Sequence, residues 1–469
     1  MSIPPTVFTP AARLPPEVFG TALWFLSVND IITASHVSSA WRTAAFDHPV
    51  YWRTLMLSSA SPGSLARFSH RLTRGGLRPI ALYVKLLERD DQRIEKGAIP
   101  ILKAAIPRAR ELHIGIESWY RGHLEHALAQ AVPELRVFDL FYNAPGTPDI
   151  FINMGLGKYD NILVGAGSPS VLPLQLRKVT LNNIILPPNV LEAFAPTEEV
   201  EFIHTTETLL PEFPCYLFEF FPRMKRLSIA AGAVYFPKDH ITSEFRNRFS
   251  QLDFLQLRFH NDYVRQCLDN LPVERIPDVR IVHASEDVIY DAFSGMESPF
   301  DIEFLEDKLD GDAFEIVVRC GKSGRTRRFF EGKEFYFTDS GRQSELLFND
   351  FDKQMGHLLI QTSIWALVTP HLARYPTCEM LVVDIDEEVQ GTVRLPQERL
   401  DLPALRTLVF QSSSIHGFSR LDAEDVVGFA NRLGDMNLHL ELRGTLMNVC
   451  GAEVLGDRFV GVDSIHPWA

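Results

Sequence analysis

The chain is poor in the features that mark export, membranes and metal centres. Nothing in its 469 residues approaches the run of about eighteen apolar positions that a membrane-spanning helix needs, so no membrane partner is expected. The opening MSIPPTVFTPAARLPPEV lacks the charged start and apolar core of a secretion signal, and residues 1–13 read as a flexible lead. The five cysteines, Cys215, Cys267, Cys320, Cys378 and Cys450, are scattered and odd in number, with no pair at metal-ligand spacing. No Asn-x-Ser/Thr acceptor occurs. Together these point to a reducing compartment, cytoplasmic and/or nuclear, and to no metal and no cofactor. Basic residues are also in deficit: 46 Lys and Arg face 60 Asp and Glu, for a net charge of −14. A chain without a cationic surplus has little to offer a phosphate backbone, so nucleic acid is not expected as a partner. Such acidity is compatible with a basic target, though its usual meaning is solubility.

Catalytic signatures are equally scarce. Gly321-Lys322-Ser323 resembles the end of a phosphate-binding loop, but Ile316 stands where the loop's first glycine belongs, and a hairpin turn is the better reading. The Gly-x-Gly triplets at 155–157 and 165–167 lack the third glycine of a dinucleotide fingerprint. His123 and His126 flank Glu125 without a third ligand in view. The acidic run Asp384, Asp386, Glu387, Glu388 reads as a solvated turn or a seat for a basic peptide or cation. Arg325, Arg327 and Arg328 read as a phosphate grip or as charges guarding a hairpin edge. No Gly-x-Ser-x-Gly elbow and no signature Cys–His pair is present, and no catalytic residue is nominated.

The densest pattern lies in residues 14–57. Pro15 and Pro16 suit a first helical turn, where their missing N–H costs nothing. Val18, Phe19, Ala22, Leu23 and Leu26 recur at helical spacing. Ser27 and Asp30 have capping-box spacing and open a second helix lined by Ile31, Ile32, Ala34, Val37, Trp41 and Ala45. Pro49 stops it and starts a short third helix carrying Val50, Trp52 and Leu55. So small a unit cannot bury all this apolar surface by itself, and some remains for a partner or for the rest of the chain. Residues 1–57 hold three basic and three acidic side chains, so docking here would rest on apolar burial rather than charge.

The order and spacing of Leu14-Pro15, Glu17, Leu23, Leu26, Asp30-Ile31, Val37, Trp41-Arg42 and Pro49-x-x-Trp52 resemble an F-box. Ser38 stands where many members have Cys, Ile31 replaces the commoner Leu, and Tyr51 precedes the last Trp in place of Leu. The resemblance implies a module that binds the Skp adaptor and, through it, a cullin in a Skp–cullin–F-box (SCF) ubiquitin ligase. It also implies the docking face: Leu14, Pro15, Val18, Leu23, Leu26, Ile31, Val37, Trp41 and Trp52.

Beyond it, residues 58–76 read as a linker and a helix, closed by Gly75-Gly76, before the strand PIALYVKL. Strand centres then follow at Leu82, Leu112, Phe138, Val179, Val200, Leu227, Leu255, Val279, Leu381, Leu408 and Leu438. They stand 21 to 41 residues apart, apart from one gap of 102, close to the ~20–29 of leucine-rich repeats. The fold class expected is therefore α+β or α/β, with a three-helix F-box followed by an irregular leucine-rich-repeat-like solenoid over 77–469. Two insertions, 141–172 and 285–375, interrupt it. The second reads as a β-meander (FEIVVRC, RTRRFFE, KEFYFT) followed by a helix from about Glu345 to Arg374. Insertions in solenoids fall in loops, and these two are candidates for target contact.

The expectation is a substrate-recognition adaptor without intrinsic catalysis, binding an unknown protein target through the repeats. One alternative is a Skp-bound scaffold without a ligase role. Another is an unrelated α/β ligand-binding protein or enzyme, which requires a pocket of convergent titratable groups.

Overall fold

The computed structural model describes residues 16–86, 91–117, 132–143, 175–182, 194–203, 209–210, 213–236, 239, 241–284, 286–293, 295–307, 312–332, 355–372, 375–385, 393–412, 419–434, 437–447, 455–456 and 458–465. The architecture is mixed α/β, with helices at the start and extensive sheet after them. The chain divides into two compact units, residues 1–208 with 216–224, and residues 209–215 with 225–469.

In the first unit four helical segments come first: α1 (Pro16–Leu23), α2 (Val28–Ala34), α3 (Ser39–Asp47) and α4 (Pro49–Trp52). The Ser27–Asp30 capping box forms as its spacing predicts, with the Ser27 hydroxyl accepting from the Asp30 N–H at 3.2 Å. The continuous second helix expected over 31–45 is instead two. Ser38 adopts an extended backbone and its hydroxyl caps α3 at the Trp41 N–H, while the Ser35 carbonyl accepts from Arg42 Nε at 3.2 Å. A cluster of serines that can satisfy backbone groups locally makes a break cheaper than an unbroken helix. Pro49 sits in the first turn of α4, which ends at Trp52. Leu55 therefore belongs not to a helix but to a strand, β1 (Thr54–Leu57).

That strand opens a parallel sheet. After helix α5 (Pro62–Arg74) come β2 (Ile80–Lys85), β3 (Ala109–Glu117), β4 (Val137–Asn143), β5 (Lys178–Asn182) and β6 (Glu199–Ile203). Each pairs with the next in chain order and in parallel. Two rows of side chains run across the ladder on one face: Leu55, Leu82, Leu112, Phe138, Val179, Val200, and Leu57, Val84, Ile114, Leu140, Leu181, Phe202. All twelve are buried, each worth about 2 kcal/mol by removal from water. Phe68 and Leu72 of α5 are buried in the same unit, as are Ile99 and Leu102 of the helix Ile99–Ala105. Arg71 of α5 is also buried, its guanidinium donating to the carbonyls of Tyr51 at 2.6 Å and Thr54 at 2.5 Å.

The second unit contains a short parallel pair, β7 (Leu209–Leu210) with β9 (Ala233–Val234), and a longer sheet. Its strands are β8 (Arg226–Ala230), β10 (Phe254–Arg258), β11 (Asp278–Val282), β12 (Phe300–Glu306), β13 (Ala313–Cys320), β14 (Thr326–Gly332), β15 (Met355–Gln361), β16 (Met380–Ile385), β17 (Thr407–Ser412), β19 (Leu438–Arg443) and β21 (Phe459–Ile465). A second short pair joins β18 (Ser419–Leu421) to β20 (Thr445–Met447). Strands β8, β10 and β11 pair in parallel, and so do β15, β16, β17, β19 and β21.

The gap of 102 residues is explained by what lies between. Strands β12, β13 and β14 form an antiparallel meander, but β14 also pairs in parallel with β11 and β12 with β15. The meander's strands thus continue the sheet. Its members include Phe300–Glu306, and KEFYFT lies outside the described residues. The helix expected from Glu345 to Arg374 is overturned where it is described: Met355–Gln361 is strand, hydrogen-bonded on both sides, followed only by short helical turns over Thr362–His371. An apolar run such as MGHLLIQ carries no period that separates strand from helix, and two waiting strand edges decide it. The register also shifts one predicted centre. Leu408 faces Leu440, not Leu438.

Candidate functional site

Two places in the first unit have the makings of a site. The first is the helical start. Its core consists of Phe19, Leu23, Ile31, Ala45 and Tyr51, with Leu26, Val28, Ile32, Trp41 and Phe46 packed against it. Phe19 and Trp41 rings meet at 4.3 Å, and Trp52 is buried with its indole N–H donating to the Asp47 carbonyl at 3.1 Å. Large apolar side chains nonetheless stay in solvent: Val18 (52 % exposed), Trp24 (52 %), Phe25 (85 %) and Val37 (61 %). Keeping such groups in water inside so small a unit is costly unless a partner covers them.

The sequence-nominated docking residues therefore divide. Val18 and Val37 are exposed, Leu26 and Trp41 half-buried, Leu23 and Ile31 sealed in the unit's own core, and Trp52 buried outside that core, beside Gly75 and under the Arg78 guanidinium. Leu14 and Pro15 lie outside the described residues. Trp24 and Phe25 were not nominated. The available signal was a pair of aromatics just past Leu23, out of phase with the apolar stripe of α1.

His48 caps α4, its Nδ1 accepting from the Val50 N–H at 3.4 Å, and its ring meets Trp24 edge-on at 4.8 Å. Burial pushes its pKa below the ordinary 6.5, with hydrogen bonding to the Gly20 backbone working against the shift. The unfolded chain thus takes up the proton first. Stability from this site is intact above pH 6.5 and is lost as the pH falls through the lowered folded value. The variant His48→Asn, which keeps a capping oxygen, is expected to melt with a flatter pH dependence below 6.5. Parallel loss of Tm in variant and wild type would dismiss this role.

The second place is the face of β1–β6 opposite the buried rows. A cavity of about 680 Å³ opens there. Across it the parallel register lines up Met56, Tyr83, His113, Asp139, Thr180 and Glu201, one from each strand. Tyr83 and His113 rings stack at 4.2 Å, and His113 Nδ1 lies 3.3 Å from Asp139 Oδ2. A carboxylate accepts, so Nδ1 carries a proton. His113 Nε2 and Asn182 Oδ1 are both shielded and have no hydrogen-bond partner among the described residues. The Thr180 hydroxyl donates to Glu201 at 3.4 Å, and Lys178 pairs with Glu199 at 2.6 Å. Burial, then Glu111 and Asp139, push the Tyr83 phenol up from its usual value.

The other motifs resolve into structure or fall outside it. Gly321–Ser323 lies in the turn joining antiparallel β13 and β14, with Gly324 at φ +68°. The arginines are neither a phosphate grip nor an edge guard, because β14 is paired on both sides. Arg327 is fully buried, Arg328 pairs with Asp278 at 3.1 Å, and Arg325 donates to the Gly295 carbonyl. Asp384 is buried and accepts from Gln361 Nε2 at 3.0 Å, so it is no solvated turn, and Asp386–Glu388 lie outside the described residues. So do the Gly-x-Gly triplets and His123–His126. Among the described residues, no group of His, Cys, Asp and Glu could hold a metal ion, and no helix is long and apolar enough to cross a membrane.

No curated protein matches this chain. Residues 11–58, however, match the family model described as F-box-like. The match spans the helical unit with its exposed aromatics and reaches past the end of β1, and an F-box implies binding to the Skp adaptor and an adaptor role in SCF ubiquitin ligases. The helical start of this chain is an F-box-like domain, which supports its being an F-box protein.

Proposed function

We propose that the chain is the target-recognition subunit of an SCF-type ubiquitin ligase. The observation that carries the reading is the F-box-like unit whose helical part leaves four large apolar side chains in solvent among the described residues. On this reading Val18, Trp24, Phe25 and Val37 meet the Skp adaptor, with Leu14 and Pro15 ahead of α1 and Leu26 and Trp41 at the margin. Leu23 and Ile31 act from inside, holding the helices that carry the contacts, and Trp52 ties the end of α3 through the Asp47 carbonyl. A cullin is recruited through the adaptor, and the chain works in cytoplasm, nucleus or both.

The rest of the chain is a leucine-rich-repeat-like solenoid that holds a protein target. Parallel strands pairing in chain order, with helices such as Ser243–Phe249, Asn261–Asn270 and Ala423–Leu433 between them, support that layout. The receptor then supplies no reacting group; it raises the local concentration of the target beside the conjugating enzyme. The cavity's His113–Asp139 pair is one that enzymes use to activate a nucleophile, but among the described residues no hydroxyl or thiol bonds Nε2, which favours binding over turnover.

The test is a pull-down of the full chain with purified Skp adaptor, wild type beside a Leu14→Ala, Pro15→Ala double variant. Retention of wild type and loss of a folded variant is expected. F-box-dependent ubiquitination of a co-purifying protein separates a ligase receptor from a scaffold that never recruits a cullin. Failure of folded wild type to bind removes the reading.

A further inference from the structure

We infer that the cavity on β1–β6 receives a basic side chain, arginine or lysine, from a short segment of the target protein. The inference rests on the target-holding role proposed above. It starts from the balance of donors and acceptors. Asp139 and Glu201 stand in one row, separated by the single strand that carries Thr180. Their carboxylates are acceptor-only groups, each engaged by one weak donor, His113 at 3.3 Å and Thr180 at 3.4 Å. Asn182 Oδ1 is a further, shielded acceptor of the same lining, with no donor among the described residues. A surplus of acceptors in a partly enclosed place is stabilised by a ligand rich in N–H donors.

Charge points the same way. Lys178 is neutralised by Glu199 at 2.6 Å. Of the other charged side chains among the described residues of the lining, Asp139 and Glu201 oppose only Lys85, whose stem lies beside Gly115. An anion would meet two carboxylates, whereas a cation finds both within one row. The position of His113 is fixed from two sides, by the stack on Tyr83 and the bond to Asp139, so the Asp139 carboxylate is held in place for a partner. Val137, Phe141, Ile203 and Met56 give the cavity apolar walls, which suit the aliphatic stem of arginine or lysine and a flanking apolar residue. About 680 Å³ is more than one side chain fills and fits a few consecutive residues of a peptide.

The experiment uses the full chain on an array of immobilised octapeptides with each position varied in turn. Wild type is expected to select Arg or Lys at one position, flanked by apolar residues. In solution, replacing that arginine by uncharged citrulline is expected to weaken the best peptide at least tenfold. The Asp139→Asn, Glu201→Gln double variant keeps acceptors for His113 and Thr180 and is expected to lose the preference. Should it fail to fold, Thr180→Arg places a tethered guanidinium between the two carboxylates and is expected to abolish peptide binding. Selection of acidic or neutral peptides, a basic preference that survives in the folded variants, or no peptide bound by folded wild type would each overturn the inference. The same proteins are tested for Skp adaptor binding, which the cavity variants are expected to keep. Loss of adaptor binding in wild type with the peptide preference intact would bring down the ligase reading and leave the cavity standing.

Discussion

A Trp24→Ala, Phe25→Ala chain is expected to bind the Skp adaptor at least a hundredfold more weakly than wild type while keeping a near-native Tm. Aromatic anchors at the centre of an interface commonly cost ~2 kcal/mol or more each on truncation, and each such loss is roughly thirtyfold in Kd. Phe25 is the cleaner half of the pair, because its ring is almost wholly in water and supports little of the fold. Trp24 touches His48, a contact worth about 1 kcal/mol, so a small loss of stability accompanies its removal. The comparison is with Leu23→Ala or Ile31→Ala, which empty the unit's core and should cost about 2–5 kcal/mol of stability. Those variants would lose the adaptor only as they unfold. Isothermal titration beside circular dichroism distinguishes the two classes. Unchanged affinity in the folded double variant would show that the exposed aromatics face something else.

The second large effect is expected at Arg327. In the register of the second unit it occupies the row of Leu227, Leu255 and Val279, where an apolar side chain would be ordinary. Its guanidinium is fully buried and donates to the carbonyls of Ala292 at 2.9 Å, Ile276 at 3.0 Å, Thr326 at 2.9 Å and Val273 at 3.3 Å. Burial, and then Arg325, pull its pKa down to about 10, so it remains charged at neutral pH. The charge itself works against folding, and the four carbonyls, each needing a donor, offset it. Arg327→Ala removes those donors and leaves a void, and is expected to cost about 3 kcal/mol or more in urea unfolding. Arg327→Lys should recover only part, since a compact ammonium cannot reach carbonyls on several sides. A variant Arg327→Leu as stable as wild type would mean that the carbonyls find water or other donors and that filling the row suffices.

These two sites also mark where sequence reading ran out. The F-box was legible because its residues are ordered along one short stretch, and capping by Ser27 and Asp30 is a local matter. Strand centres were legible for the same reason: Leu112, Phe138 and Val179 each sit in a buried alternation that shows in five residues. What depends on distant partners did not show. Arg327 reads as one of three surface arginines until residues about fifty positions away supply its carbonyls. Met355–Gln361 reads as helix until β12 and β16 claim its edges. The cavity row draws one side chain from each of six strands, and no spacing along the chain announces it. Trp24 and Phe25 were hidden differently, since a stripe argument looks for apolar residues in phase and discards those that are not.

The joint between the F-box and the sheet has a consequence for geometry. Strand β1 is the end of the helical unit and also the first rung beside β2, with the Ala81 N–H donating to the Arg53 carbonyl at 2.8 Å. Arg71 clamps the same joint from α5 by holding the Tyr51 and Thr54 carbonyls together. A receptor whose halves are joined by a loose tether sweeps its cargo through a cone, and any lysine within the tether's length is a candidate acceptor. A hydrogen-bonded joint has no such freedom. On the proposed reading, whatever the β1–β6 cavity grips would be held at one bearing from the F-box, and the choice among a target's lysines would become a matter of angle, not of reach.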